Sequence, residues 1–225
     1  MKTQTHSLRA LARLLSYPDQ TLRSMLPALV EAIDAEAAIP APRRAELRAV
    51  ANEMQRLDPF AVEERYVETF DRGRNTSLHL FEHVHGDSRD RGPAMIDLQQ
   101  TYATAGLFLA PEEMPDHLGV VLEFASTQPA ETGRDFLGEM GHILTAIFSA
   151  LQQRQSPYAA VIAAVLELAG QRVAAVSVAA EEALDQSWAE PQAFDGCSTK
   201  GQARPGEAQP IHFVRKAAPV QGATV

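Results

Sequence analysis

The chain has 225 residues, 45% hydrophobic and 22% charged, with 29 acids against 20 lysines and arginines for a net charge of −9. That length buries a core without disulfide or metal staples, and no apolar run reaches the ~18–20 residues that a bilayer span requires. The acidic balance opposes nucleic acid and anionic membranes, which need a basic face, and the single cysteine, Cys197, excludes a disulfide framework or a multi-cysteine metal site.

From Met1 to Arg13 there is no continuous apolar stretch, so no secretory signal is expected and the chain reads as cytoplasmic. Leu8, Leu11, Ala12 and Leu15 then fall on one helix face. Tyr17-Pro18 stops that helix, and Asp19 or Thr21 caps the next, striped by Leu22, Met25, Leu26, Leu29 and Ile33. Pro40 and Pro42 open a third helix through Val50, Met54 and Leu57. Asp58-Pro59, a cap followed by proline at the first helical position, opens a fourth through Val62, Tyr66 and Phe70, ending near Gly73. Beyond Pro93, a helix marked by Met95, Leu98, Tyr102 and Ala105 closes at Gly106, and Pro115-Asp116 opens a shorter one carrying Leu118, Val121, Leu122 and Ala125. One stripe runs unbroken from Phe136 to Leu151, and Ser156-Pro157 repeats the cap-plus-proline device before Val161 to Ala169. A weaker helical segment, Glu181–Trp188, ends at Pro191. Leu78-His79-Leu80 and His83-Val84-His85 alternate with period two, too briefly to build a sheet. The expected fold is all-α: a single-domain bundle of about eight to ten helices over 1–190, with a disordered tail over 191–225. That tail has no periodic face and is net positive, with Lys200, Arg204, Arg215 and Lys216 against Asp195 and Glu207, which leaves the body more acidic than the whole.

The chemistry-bearing run is Tyr66 to Leu98. His79-Leu80-Phe81-Glu82-His83 fits H-x-x-E-H, in which two histidines at i and i+4 of one helix hold zinc beside a glutamate base. A zinc-dependent hydrolase using His79, Glu82 and His83 is therefore an alternative. The simpler reading is a loop fixed by polar side chains, with Arg72, Arg74, Arg89 and Arg91 paired to Asp71, Asp87 and Asp90. No nucleotide-binding glycine loop, CxxC or GxSxG is present.

The same run, above all FDRGR at 70–74 and LFEHVHGDSRDRGPAM at 80–95, closely resembles the NarJ-type chaperones of respiratory nitrate reductase. The resemblance extends to Leu14–Pro18, Leu57–Pro59, MPDHL at 114–118 and Ser156–Leu168, and covers about residues 8–190. It implies an all-helical member of the redox-enzyme maturation chaperone class, without catalytic activity, resident cofactor or metal of its own. It further implies binding to the N-terminal, leader-like segment of the nitrate reductase catalytic subunit, support of molybdenum cofactor insertion, and delayed membrane docking until loading. Proteins that deliver the molybdenum cofactor are implied as further partners; nucleic acid and direct membrane insertion are not. Glu82, His83, His85, Asp87, Arg89, Asp90 and Arg91 form the family-motif loop. In the wider class an acid shortly before a Pro-Asp-His element is associated with leader recognition, and Glu113, Pro115, Asp116 and His117 match it.

An amphipathic leader helix needs an apolar groove. Tyr66, Phe70, Leu80, Phe81, Tyr102 and Leu122 are the candidate anchors, with Asp116 and His117 as polar partners. The simpler reading of each apolar residue is plain core, and of Asp116 a helix N-cap.

Overall fold

The leucine stripe of the first helix lies in the core of the described residues. In the computed structural model, which describes residues 3–86 and 88–178, α1 (Thr5–Leu14) buries Leu8, Leu11 and Leu14 completely. Its small residues Ala10 and Ala12 are also buried, so its neighbours approach on several sides. Those neighbours are α2 (Gln20–Glu36), α7 (Leu118–Thr127) and α10 (Ala159–Leu168). Every residue of α10 from Val161 to Leu166 is buried, the signature of a helix enclosed on all faces. The other helices are α3 (Ala41–Arg56), α4 (Pro59–Tyr66), α6 (Arg91–Thr104), α8 (Ala130–Glu139) and α9 (Gly141–Gln153), of which α3, α8 and α9 pack on α10. A one-turn α5 (Glu82–His85) completes ten α-helices among the described residues. No helix there is long and apolar enough to cross a membrane. The chain divides after Glu181 into two units, and the second, Glu182–Val225, lies outside the described residues. The expected 181–188 helix, the expected boundary at 190 and the expected tail fall there, as do Cys197 and, separately, Asp87.

Local chemistry accounts for most boundaries. Asp19 caps α2 by accepting from the Leu22 amide at 2.7 Å, and Asp58 caps α4 by accepting from Phe60 and Ala61. Four expectations are corrected. The stripe from Phe136 to Leu151 is two helices, broken at Met140, because glycines at 138 and 141 weaken helix propagation. A Cβ on Gly141 would sit 2.9 Å from Gln171, so the break also seats the chain that follows α10. Ser156 does not cap α10; Tyr158 occupies the cap position, and the Ser156 carbonyl accepts from Ala159 at 3.1 Å in the preceding turn. Asp116 does not cap α7. That helix starts at Leu118, and His117 is its cap, accepting from the Gly119 amide through Nδ1 at 3.2 Å.

The fourth helix does not run on as α-helix to Gly73. From Val67 to Asp71 it widens into a π-turn, closed by the Arg72 amide on the Val67 carbonyl at 3.1 Å. The turn points Thr69 and Phe70 inward and leaves Glu68, Asp71 and Arg72 outside.

Candidate functional site

The short alternation Leu78-His79-Leu80 makes a single antiparallel bridge to residues 116–118. The Leu80 amide donates to the Asp116 carbonyl at 3.0 Å, and the Leu118 amide to the Leu78 carbonyl at 2.8 Å. Leu78, Leu80 and Leu118 are buried, so the core fixes the register, and period two turns His79 the other way. The bridge pairs His79, just ahead of the family-motif loop, with His117 of the Pro-Asp-His element, thirty-eight positions along the chain.

Asp116 is wholly buried at this junction. Its carboxylate accepts from the Phe81 amide at 3.2 Å, meets His79 Nδ1 at 3.3 Å and faces the Arg91 guanidinium at 3.6 Å. Arg91 also reaches Glu82 at 3.4 Å, and the other oxygen of Glu82 accepts from Ser77 Oγ at 2.5 Å. His83 Nε2 lies 2.9 Å from the Ser77 carbonyl. The loop is thus clasped at both ends by charge-assisted bonds, the strongest kind available to side chains. Burial pushes the Asp116 carboxyl up, but the His79 hydrogen bond and charge, the Phe81 amide and Arg91 outweigh it and hold it below the usual carboxylate range. The hydrogen bond to Asp116 raises His79, against the opposing effect of burial. Burial lowers His117, and the neighbouring His79 charge lowers it further.

This arrangement corrects the zinc-hydrolase alternative. His79 lies in the bridge, outside α5, so His79 and His83 do not stand at i and i+4 of one helix. His79 turns to Asp116, His83 to Ser77, and Glu82 is held by Ser77 and Arg91. Among the described residues no three His, Cys, Asp or Glu side chains are grouped to hold a metal ion.

Beside the junction opens a cleft of about 400 Å³ between α1, α6 and α7. Tyr102 forms its floor, its ring 4.6 Å from Phe124 and its hydroxyl donating to the Pro115 carbonyl at 2.8 Å. Leu107, Leu109 and Val120 line the walls, and Phe108 stands at the mouth with 84% of its surface in water. Arg9 and Arg13 of α1 contribute the basic rim, and Glu113 and Glu123 the acidic rim. Glu113 also shapes the loop by accepting from the Ala110 amide at 3.0 Å.

Of the candidate anchors, only Tyr102 lines this cleft. Leu80 and Leu122 are closed in the core, and Phe81 is half-buried with its ring edge-on to His85 at 5.7 Å. Tyr66 and Phe70 belong to a different cluster, with rings 4.9 Å apart, packed on Tyr17 and Tyr158. Arg89 and Asp90 are exposed on the loop surface, the Asp90 carboxylate accepting from Ser88 at 3.3 Å. The cleft residues Leu107, Phe108, Leu109, Val120 and Phe124 are not among the candidate anchors. Their signal was present in Leu107-Phe108-Leu109, an apolar triplet between Gly106 and Pro111 where a solvated loop is normally polar.

The helical arrangement is shared with a solved structure. It matches a crystal structure from Archaeoglobus fulgidus described as a candidate redox enzyme maturation protein, with a TM-score of 0.52 and 20% identity over 74% of this chain and 94% of that one. Residues 19–164 match the family model described as nitrate reductase delta subunit. Over 187 residues the chain is 41% identical to the nitrate reductase molybdenum cofactor assembly chaperone NarJ of Escherichia coli (strain K12), covering 82% of this chain and 78% of that one. It is also 39% identical over 153 residues to the nitrate reductase-like protein NarX of Mycobacterium tuberculosis (strain ATCC 25618 / H37Rv), which is 68% of this chain but 22% of that longer protein. The chain belongs to the nitrate reductase delta subunit family and is of its NarJ type.

Proposed function

We propose that this protein is an assembly chaperone for nitrate reductase. It binds the N-terminal segment of the catalytic subunit, supports insertion of the molybdenum cofactor, and delays docking to the membrane until the cofactor is in place. It acts in the cytoplasm and carries out no reaction of its own. One observation carries this reading beyond family membership: the cleft whose mouth holds a phenylalanine 84% exposed, next to the Glu113–His117 element.

An exposed aromatic at a preformed apolar cleft favours a partner that buries it. A leader folded as an amphipathic helix suits the opening, with apolar side chains on Tyr102, Phe124 and Val120 and its charges on the rim. Burying a few such side chains at ~1.5–3 kcal/mol each, less the costs of association and ordering, gives micromolar to nanomolar affinity. That range is tight enough to hold a client and weak enough to release it. The buried Asp116 clasp does not contact the leader in this reading; it fixes the loop that carries Glu113 and Met114 against the bundle.

Co-purification from nitrate-respiring cells tests the proposal. The catalytic subunit is expected with the wild-type chain and reduced with Phe108→Ser. Its absence under conditions where the reductase is expressed would overturn the reading.

A further inference from the structure

Phe60, the second residue of α4, leaves 79% of its surface in water, while Val62 and Tyr66 of the same helix are buried. It shares a concavity of about 460 Å³ with Tyr17 and Val67, none of whose lining residues belongs to the Phe108 cleft. Tyr17 is 46% exposed yet held in place. Its hydroxyl donates to Glu63 at 3.0 Å, and its ring stands edge-on to Tyr66 at 5.7 Å. Tyr66 is itself tied to the Leu15 carbonyl at 2.8 Å. The surface therefore presents an anchored aromatic, Tyr17, which loses little entropy when covered, beside the exposed ring of Phe60.

The rim is acidic. Glu63, Glu64 and Glu68 line the concavity with Arg72. The π-turn keeps Glu68 and Asp71 on the outside, and Arg154 donates to the Glu68 carbonyl at 3.2 Å. The Glu63 hydrogen bond pushes the Tyr17 hydroxyl up, with the charges of Asp71 and Asp19 adding to it, so five carboxylates surround this spot.

We propose that the Tyr17–Phe60 concavity is a second docking surface, for a lysine- or arginine-rich amphipathic segment of a partner protein. Charge selects that occupant. Carboxylates repel anionic lipid and nucleic acid, and a second copy of a chain with net charge −9 is repelled as well. A basic segment satisfies the rim and buries Phe60 together. This inference stands apart from the leader-binding reading, since it uses different residues.

The test titrates the isotopically labelled full chain with a synthetic helix of about 18 residues, leucine on one face and lysine on the other. Saturable amide shifts are expected at Tyr17, Phe60, Glu64 and Val67. Affinity is expected to fall about 10- to 100-fold in Phe60→Ser, and to fall also in the Glu64→Lys/Glu68→Lys double variant. Phe60, Glu64 and Glu68 are all exposed, so both variants should keep the wild-type thermal midpoint. The same helix with glutamate for lysine should not bind. Shifts confined to the Phe108 cleft, or binding indifferent to Phe60→Ser and abolished by salt alone, would overturn the proposal. So would self-association of the wild-type chain in sedimentation that Phe60→Ser removes, because the face would then belong to a second copy.

Discussion

Replacing Asp116 with alanine removes a carboxylate that is wholly buried and faces three partners, the Phe81 amide, His79 and Arg91, within 3.6 Å. Breaking a buried charge pair from one side costs ~3–5 kcal/mol. His79 and Arg91 keep 35% and 26% of their side chains in solvent, so they rehydrate when orphaned. The expected cost is therefore smaller, about 2–3 kcal/mol. At roughly 2–4 °C per kcal/mol for a body of this size, Tm should fall by about 5–10 °C in circular dichroism. Asp116→Asn keeps an oxygen for the Phe81 amide and loses the charge, so about half that fall is expected. The effect has a pH signature. His79, raised by Asp116, contributes its full share below the ordinary histidine value and loses it as pH rises through its raised value. Asp116, lowered, contributes above the ordinary carboxylate value and loses it as pH falls through its lowered one. The gap between wild type and Asp116→Asn should be widest between about pH 4 and 6.5 and narrow above that. An unchanged Tm in both variants, with the His79 titration by NMR unmoved between wild type and Asp116→Asn, would refute the clasp.

Phe108→Ser should leave Tm unchanged, because that ring already faces water, while weakening leader binding about 10- to 100-fold by calorimetry. Gly133→Ala should destabilise by about 1–3 kcal/mol in denaturant unfolding, since its Cβ would meet the Ala125 carbonyl oxygen at 2.6 Å where α8 crosses α7. His117 should titrate below the ordinary histidine value by NMR, because burial opposes its charge. A leader bearing positive charge should bind more weakly as salt screens the net negative charge of the chain, with a residual affinity from the apolar walls.

The helices were legible because their signals are local. The Leu8–Leu15 stripe, the Asp58-Pro59 cap and the Gly106 stop each lie within one or two turns of what they determine. The junction at Asp116 was not. Its carboxylate meets His79 across thirty-seven positions, and nothing near residue 116 distinguishes a buried ion partner from an N-cap. His117, capping through a ring nitrogen, took the role that aspartate usually fills. The Phe136–Leu151 stripe misled for a related reason: apolar spacing continues across a break that two glycines and the packing of Gln171 impose. Aromatic identity alone also failed to separate Tyr66 and Phe70, which are core, from Phe108 and Phe60, which are surface.

Calorimetric titration of the full chain with the N-terminal segment of the nitrate reductase catalytic subunit tests the central claim most directly. One-to-one binding at micromolar to nanomolar affinity is predicted, weakened at least about tenfold by Phe108→Ser. No heat of binding with the wild-type chain, or an affinity that Phe108→Ser leaves unchanged, would contradict it.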